Sequence, residues 1–526
     1  MQSRTVTDSR TSALITKTFY QTGPFPLSGA VDYEDIYQSN GTTLVSHADY
    51  TNTSTTLDGT ANNQRYFVAI TASSVVEREV GGTKNGQIIT TTNTSSIYDS
   101  YGNPTTLATT RTDNDSTSPY VGLSWGSTTA STIAPSTGSN WCLGLPTQVA
   151  VTNTAPGVSA ITRTVTVTPD YVKCRATQKV IEPLSGTYAV TEAYGFDGFG
   201  NTNSVAVTGA SMAARTTLTN WGTTGQFPTT VTNPLSQSAT NGYDLNLGLL
   251  TSTTDPNGIA ISWQYDTFGR KFRENRPDGT KTEWTYNDCS AGGCVNGNNK
   301  LTVIQTVKNS DGGTRSDAWT YLDRFERVLV TSRRLLSGAY DRSEVVYDIF
   351  GRQAQQSMPC TWVGCVVYWT TATYDALGRP IQTQRPISAA NGTLQTTAIA
   401  YAGRATTVTD PQGKQSVKIT TVAGSLGRSQ DHNNYYQNFS YDAFGSLLAV
   451  TDSLSNPLFS ATYDYGIGAF QRTMTDADLG ARSSTYNALG EVTNHSDARG
   501  QSFTLTYDAL SRPLVRTEPD LTTTLI

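Results

Sequence analysis

Charge is scarce in this chain. Of its 526 residues 15% are charged, well below the roughly 25% usual for soluble domains, and the net charge is −5. The arginines are scattered through turn-like stretches, so there is no basic footprint for a phosphate backbone, and nucleic acid is excluded as a partner. Long apolar runs are also missing. Nothing reaches the 18 residues that a membrane-spanning helix needs, and the opening MQSRTVTDSRTSALITKTFYQ lacks the apolar core of a secretory signal. Export would then use another route, or the chain is a piece of a larger one. No apolar periodicity of the 3.6-residue kind is sustained, which predicts very little helix. Histidines number three, His47, His432 and His495. They share no ligand spacing and stand beside no nucleophile motif, so no metal, cofactor or catalytic residue is expected.

What is present is Thr, Ser, Asn, Gly and 27 tyrosines, with Gly at 45 and Pro at 20, an average share. This composition favours pleated, half-buried strands over disorder. Residues 265–286, YDTFGRKFRENRPDGTKTEWTY, show how they are arranged. Asp266 can bond its own downstream backbone, Gly269 supplies positive φ, and Pro277-Asp278-Gly279 makes a second reversal. The stretches 270–276 and 280–286 are each long enough for a strand of about 23 Å. In the second, Thr282, Trp284 and Tyr286 fall on one face, the period-2 pattern of a half-buried strand, with Tyr286 as its last inward anchor.

The unit repeats. Tyr243 to Tyr265 is 22 residues, Tyr265 to Tyr286 is 21, Tyr441 to Tyr463 is 22, Tyr463 to Tyr486 is 23 and Tyr486 to Tyr507 is 21. Tyr321, Tyr347, Tyr374 and Tyr401 follow at 26, 27 and 27. The motif returns as YDIFGR (347–352), YDALGR (374–379), YDAFGS (441–446), YNALGE (486–491) and YDALSR (507–512). A variant at 321–327 has one extra residue and Glu326 for the glycine. Turns of the second class lie between: DPNG (255–258), RPDG (276–279), SDGG (310–313), DPQG (410–413) and DARG (497–500). Such an array predicts an all-β fold of stacked antiparallel hairpins winding into a strip, shell or partial barrel, with reversals just after Tyr265, Tyr347, Tyr374, Tyr441 and Tyr507. Two regions are expected: an N-terminal β region, 1–235, with divergent units such as YDSYGNP (98–104) and FDGFGN (196–201), and the array proper, 236–526.

These residues resemble the Rhs, or YD-repeat, family, and the N-terminal run resembles the segment before the repeats in the B component of Tc-type insecticidal toxin complexes. The resemblance implies a hollow β-shell that encloses a toxin domain, a protein partner carrying further YD repeats, and release outside the cell as part of a toxin complex, with a cytoplasmic stage before release as the alternative. It implies a non-enzymatic encapsulation module; the rival is a secreted or surface adhesion protein that binds carbohydrate or protein through the array. Family members end their shell in an Asp-Pro motif that cleaves itself. Here Asp255-Pro256 and Asp410-Pro411 are followed by more units and read as ordinary turns. The structural residues are Tyr265, Asp266, Gly269 and Arg270; Tyr347, Asp348, Gly351 and Arg352; Tyr374, Asp375, Gly378 and Arg379; Tyr441, Asp442 and Gly445; and Tyr507, Asp508 and Arg512. The arginines read as rim charges paired with the aspartates of neighbouring hairpins, against an anion-binding row as the rival.

Six cysteines remain. Cys289–Cys294 and Cys360–Cys365 each fall at a hairpin tip, where facing residues suit a disulfide. Free thiols and a four-cysteine zinc site are the alternatives, and Cys142 and Cys174 are left unassigned. One period beyond Tyr507 falls at 528, past Ile526. That predicts an open sheet edge at LTTTLI, awaiting a partner strand or self-association.

Overall fold

The computed structural model describes every residue except 1, 8–9, 11–12, 63, 139, 289–299, 362–365, 388–392 and 525–526. The described residues form 41 strands in one continuous antiparallel sheet, and among them the helical content is a single 3-10 turn at Gly82–Lys84. Each strand pairs with the next in sequence, from Gln2–Thr7 against Ile15–Tyr20 to Pro513–Thr517 against Thr522–Thr524. One irregularity interrupts this meander. Tyr340–Tyr347 pairs with Gln353–Ser357 through one end and with the short Cys360–Thr361 through the other, and the ladder then continues from Gln353–Ser357 to Trp369–Tyr374. Pairing runs without a break through residues 218–240, so the sheet itself does not mark the boundary at 235.

The tyrosines punctuate the strands as the spacing predicts. Strands end at Tyr265, Tyr347, Tyr374, Tyr441 and Tyr507. At each the register slips by one residue: Gln264 faces Arg273 while Tyr265 faces Lys271. Such bulges increase local twist, and the slip, repeated along the ladder though absent at Tyr286 and Tyr401, adds to the coiling of the ribbon. The flanking strands, Lys271–Asn275 and Lys281–Asp288, differ from the expected pair of seven-residue stretches. The first is shorter because the turn residues take one position at each end, and the second runs on past Tyr286.

The ribbon comes back to its own edge. Arg10 reaches the carbonyl of Ile349, Glu79 meets Arg379, Tyr188 meets Asp464 and Arg215 meets Glu491. These contacts join hairpin ends 276 to 339 residues apart. Counted along the ladder without the short Cys360–Thr361 strand, 21 to 23 strands separate them. At about 4.8 Å per strand one circuit is about 105 Å around and about 35 Å across between backbones, wider if the strands tilt.

A hollow coil should expose both faces, and it does. The accessible surface is 29239 Å², whereas a compact globule of 56.5 kDa would show about 18,500 Å². What is buried gathers where one circuit meets the next: Val80, Ile89, Val422, Phe470 and Ala488 are at most 8% exposed, and so are Glu79, Lys84, Asp113, Asp115 and Glu491. Much of the core is thus a seam between circuits, with a second buried group, Thr282, Thr302, Tyr321, Val330 and Ser332, inside the ladder, and most of the sheet surface left in water.

Candidate functional site

Each repeat is a clasp made of a turn and a ring. Asp266 Oδ1 accepts the N–H groups of Phe268 and Arg270, both at 2.9 Å, while Oδ2 accepts Arg270 Nε at 2.7 Å. Gly269 takes φ 77°, where a side chain would be strained. The same bonds recur at Asp348 with Phe350 and Arg352, at Asp375 with Leu377 and Arg379, and at Asp508 with Leu510 and Arg512. Gly351, Gly378 and Gly445 hold φ near 80°, and at the corresponding places Glu326 and Ser511 take φ 60° and 64° despite their side chains.

The arginines therefore pair with the aspartate of their own turn, four residues back, rather than with that of a neighbouring hairpin. A five-residue reversal brings guanidinium and carboxylate together locally. What faces the next hairpin is the guanidinium plane. Arg270 lies over the ring of Tyr286 at 4.4 Å, Arg352 over Tyr374 at 4.6 Å and Arg379 over Tyr401 at 4.2 Å. The tyrosine hydroxyl closes the clasp on the preceding unit. Tyr265 donates to the carbonyl of Leu250 at 2.7 Å, Tyr347 to Val328 at 3.1 Å, Tyr374 to Gln353 at 2.6 Å, Tyr441 to Leu426 at 3.0 Å and Tyr507 to Val492 at 2.8 Å. Asp442 departs from the pattern: Ser446 stands where the arginine would, and Oδ2 accepts the Tyr465 hydroxyl instead. Burial, then the Asp442 hydrogen bond, pushes that phenol up to about 12.

The divergent N-terminal units build the same turn with asparagine in the arginine position. Asp99 accepts from Tyr101 and Asn103, and Asp197 from Phe199 and Asn201. The Asp-Pro turns are of this kind too. Asp255 Oδ1 accepts from Asn257 and Ile259, and Asp410 Oδ1 from Gln412 and Lys414.

The seam joins residues that no motif marks, such as Glu79, Asp115 and Arg215, to motif positions such as Arg379 and Glu491. Glu79 takes Arg379 Nη2 at 2.6 Å and the Gly403 N–H at 2.7 Å. Asp115 takes the Arg404 N–H at 2.9 Å and pairs with Lys84. Burial would raise the Asp115 carboxyl, but Lys84 and the N–H groups of Arg404 and Thr117 hold it below its ordinary value. Farther along, Arg215 grips Glu491 through two nitrogens, at 2.6 and 3.0 Å, and reaches Ser511 at 2.9 Å. Burial likewise pushes the Glu491 carboxyl up, and Arg215, Asn487 and Ser511 bring it below the usual range. Tyr188 donates to Asp464 at 2.9 Å and packs edge-on against Phe470.

One staple joins the two cysteines that the sequence left unassigned. Cys142 and Cys174, left unassigned by sequence, form a disulfide with Cα atoms 5.2 Å apart. Cys360 is disulfide-bonded. Cys289, Cys294 and Cys365 lie outside the described residues, and so do the two pairings expected of them. Among the described residues no group of His, Cys, Asp and Glu is placed to hold a metal ion, and no helix is long and apolar enough to cross a membrane.

The RHS Repeat family profile matches residues 243–281 and 486–523. No curated protein matches the chain by sequence. Among solved structures, TcdB2-TccC3 without its hypervariable C-terminal region matches with a TM-score of 0.75 at 11% identity, over 98% of this chain and 38% of that one. A Photorhabdus luminescens Tc holotoxin pore with a mutated TccC3 matches with the same score, identity and coverage. A crystal structure of TcdB2-TccC3 matches with a TM-score of 0.65 at 13% identity, over 98% of this chain and 37% of that one. The likeness is one of fold, and this chain spans well under half the length of the chains it matches. With clasp, coil and repeats agreeing, the chain carries Rhs repeats at 243–281 and 486–523 and resembles Tc toxin components in its fold.

Proposed function

We propose that this chain is a non-enzymatic wall segment of an Rhs/Tc-type toxin shell that sequesters an effector, acts outside the cell as part of a toxin complex, and joins a protein partner carrying further YD repeats. The observation that supports this is the return of the ribbon onto its own edge after 21 to 23 strands of ladder. A ribbon that closes this way encloses a bore, and one whose faces both stay in water can be wetted inside. Subtracting about 10 Å for side chains from the backbone diameter leaves a bore of about 25 Å, room for an extended or partly folded chain but not for a folded domain of ordinary size.

The aspartates of the repeat turns support the non-enzymatic reading. Each holds two backbone N–H groups with one oxygen, and in the full motif an arginine with the other, so no free acid or base is left there. Co-expression with the protein encoded next to it, followed by electron microscopy and protease challenge, tests the proposal. A closed particle that protects an enclosed segment from protease is the expected result. A chain that forms no particle with its neighbour, and binds glycans or cell surfaces alone, would instead establish the adhesion reading.

A further inference from the structure

The tyrosine turns lie along one margin of the ribbon and the second-class turns along the other. In the seam the second-class margin of the first circuit meets the tyrosine margin of the second, as Glu79 meets Arg379 and Arg215 meets Glu491. Two margins are left uncovered: the tyrosine margin of the first circuit and the second-class margin of the second.

The uncovered tyrosine margin raises a large apolar side chain at turn after turn. Phe25, Trp141, Val172, Phe199, Phe268 and Phe325 all stand there, from 62% exposed at Phe325 to 82% at Phe268. Single exposed apolar residues are ordinary, but a row of them along one margin marks a contact surface. The seam shows what covers such a row. Phe268 and Phe325 lie two residues after Asp266 and Asp323, and Phe350 and Phe444 hold the same place after Asp348 and Asp442. Both seam rings are half-buried. An arginine of the opposite margin lies over each, Arg10 at 4.8 Å from Phe350 and Arg163 at 5.7 Å from Phe444. The arginine of the ring's own turn is near Phe268, Phe325 and Phe350 alike, so the incoming cation is what the exposed rings lack.

The complement of the exposed row is therefore a second-class margin with cations and apolar tips. This chain carries one. Arg334, Lys414 and Arg499 are exposed at or beside turns of the uncovered second-class margin, among Leu336 and Leu454, each at least 80% exposed. A contact about 105 Å long and about 10 Å deep would bury about 1,000 Å² on each side, enough for a stable interface.

We propose that copies of this chain associate head to tail, the tyrosine margin of one docking on the second-class margin of the next, with Phe268 and Phe325 covered as Phe350 and Phe444 are in the seam. The two surfaces differ, so each copy keeps one margin open and association continues beyond a dimer. This stacking does not rest on sequestration, because it needs no cargo.

Sedimentation velocity of the full chain from about 1 to about 100 µM tests the proposal. The expected result is a mass that rises past that of a dimer. One variant, Phe268→Ser with Phe325→Ser, disables the tyrosine margin, and another, Leu336→Ser with Leu454→Ser, disables the second-class margin. All four side chains are exposed, so the fold is retained, and an unchanged circular dichroism spectrum verifies it. Each variant alone should associate at least tenfold more weakly than the parent. Mixed in equal amounts, the two should form a one-to-one dimer and stop there, because each brings one intact margin. A parent chain that stays monomeric throughout overturns the proposal, and a monomer that binds phosphatidylcholine vesicles overturns it in favour of a lipid surface. Undiminished self-association by either variant, or a mixture that forms no dimer, overturns it as well.

Discussion

Replacing Arg215 by Ala should unlatch the two circuits at one point without unfolding either. The guanidinium makes two bonds to Glu491 and a third to Ser511, with the paired side chains 13% and 7% exposed. Its removal strands a buried carboxylate, and breaking such a pair costs about 3–5 kcal/mol. Asn487 still donates to Glu491, which places the expected loss near the lower end, about 3 kcal/mol. Each hairpin keeps its own ladder, so the loss should appear as local opening. Amides at 210–215 and 487–491 should exchange roughly a hundredfold faster, while those in distant units such as 265–286 stay unchanged. Adding Glu491→Gln should recover much of the loss, because the stranded charge goes with it. Unchanged exchange in Arg215→Ala, or strictly additive single and double variants, would refute a seam held by buried charge.

Acid should open the same seam. The Asp115 and Glu491 carboxyls sit below their ordinary values when folded, so their stabilisation is present above about pH 4 and fades as pH falls through the folded values; seam opening, read as exchange protection relative to an unstructured peptide at the same pH, should be constant from about pH 5 to 8 and increase below about 4. Tyr374→Phe removes the bond to the Gln353 carbonyl and should cost about 1 kcal/mol, read as denaturant-induced opening confined to neighbouring units. Glu326→Gly relieves a side chain at φ 60° and should be neutral or stabilising by up to about 1 kcal/mol, whereas Gly351→Ala, at φ 81°, should destabilise by a similar amount. Reduction or Cys142→Ser should loosen the two hairpin ends it joins by at most about 3–4 kcal/mol, from a separation of 32 residues, in thermal unfolding followed by circular dichroism.

The hairpins were legible because their chemistry is local. Asp266 bonds residues two and four places on, and Gly269 adopts a backbone angle that its lack of a side chain allows, so a few neighbouring letters specify the reversal. The arginines were legible only in part: their position was plain, but a ring 16 residues on at Tyr286 decides what Arg270 covers. Glu79, Asp115, Arg163 and Arg215 were not legible at all. Their partners lie about 300 residues away, and which hairpin end meets which depends on how many strands make one circuit, a quantity set by twist summed over the whole ladder. The Cys142–Cys174 bridge escaped for the same reason on a smaller scale: the intervening strands Pro146–Thr154 and Ile161–Asp170 fold it together.

Because neighbouring strands run in opposite directions, hairpin ends alternate between the two rims of the ribbon, and the seam always joins one rim to the other. The number of strands per circuit is therefore odd, as 21 and 23 are. Growth of such a molecule comes in pairs of strands. A duplicated hairpin leaves every later turn on its own rim and slides the latch by one tooth, so that Glu491 would face a neighbour of Arg215. A single inserted strand would send every later tyrosine turn to the wrong rim and disengage the whole latch at once. Length variation among proteins built this way should accordingly fall in steps of a whole unit, and where a lone extra strand does occur it should sit to one side of the ladder, as Cys360–Thr361 does here.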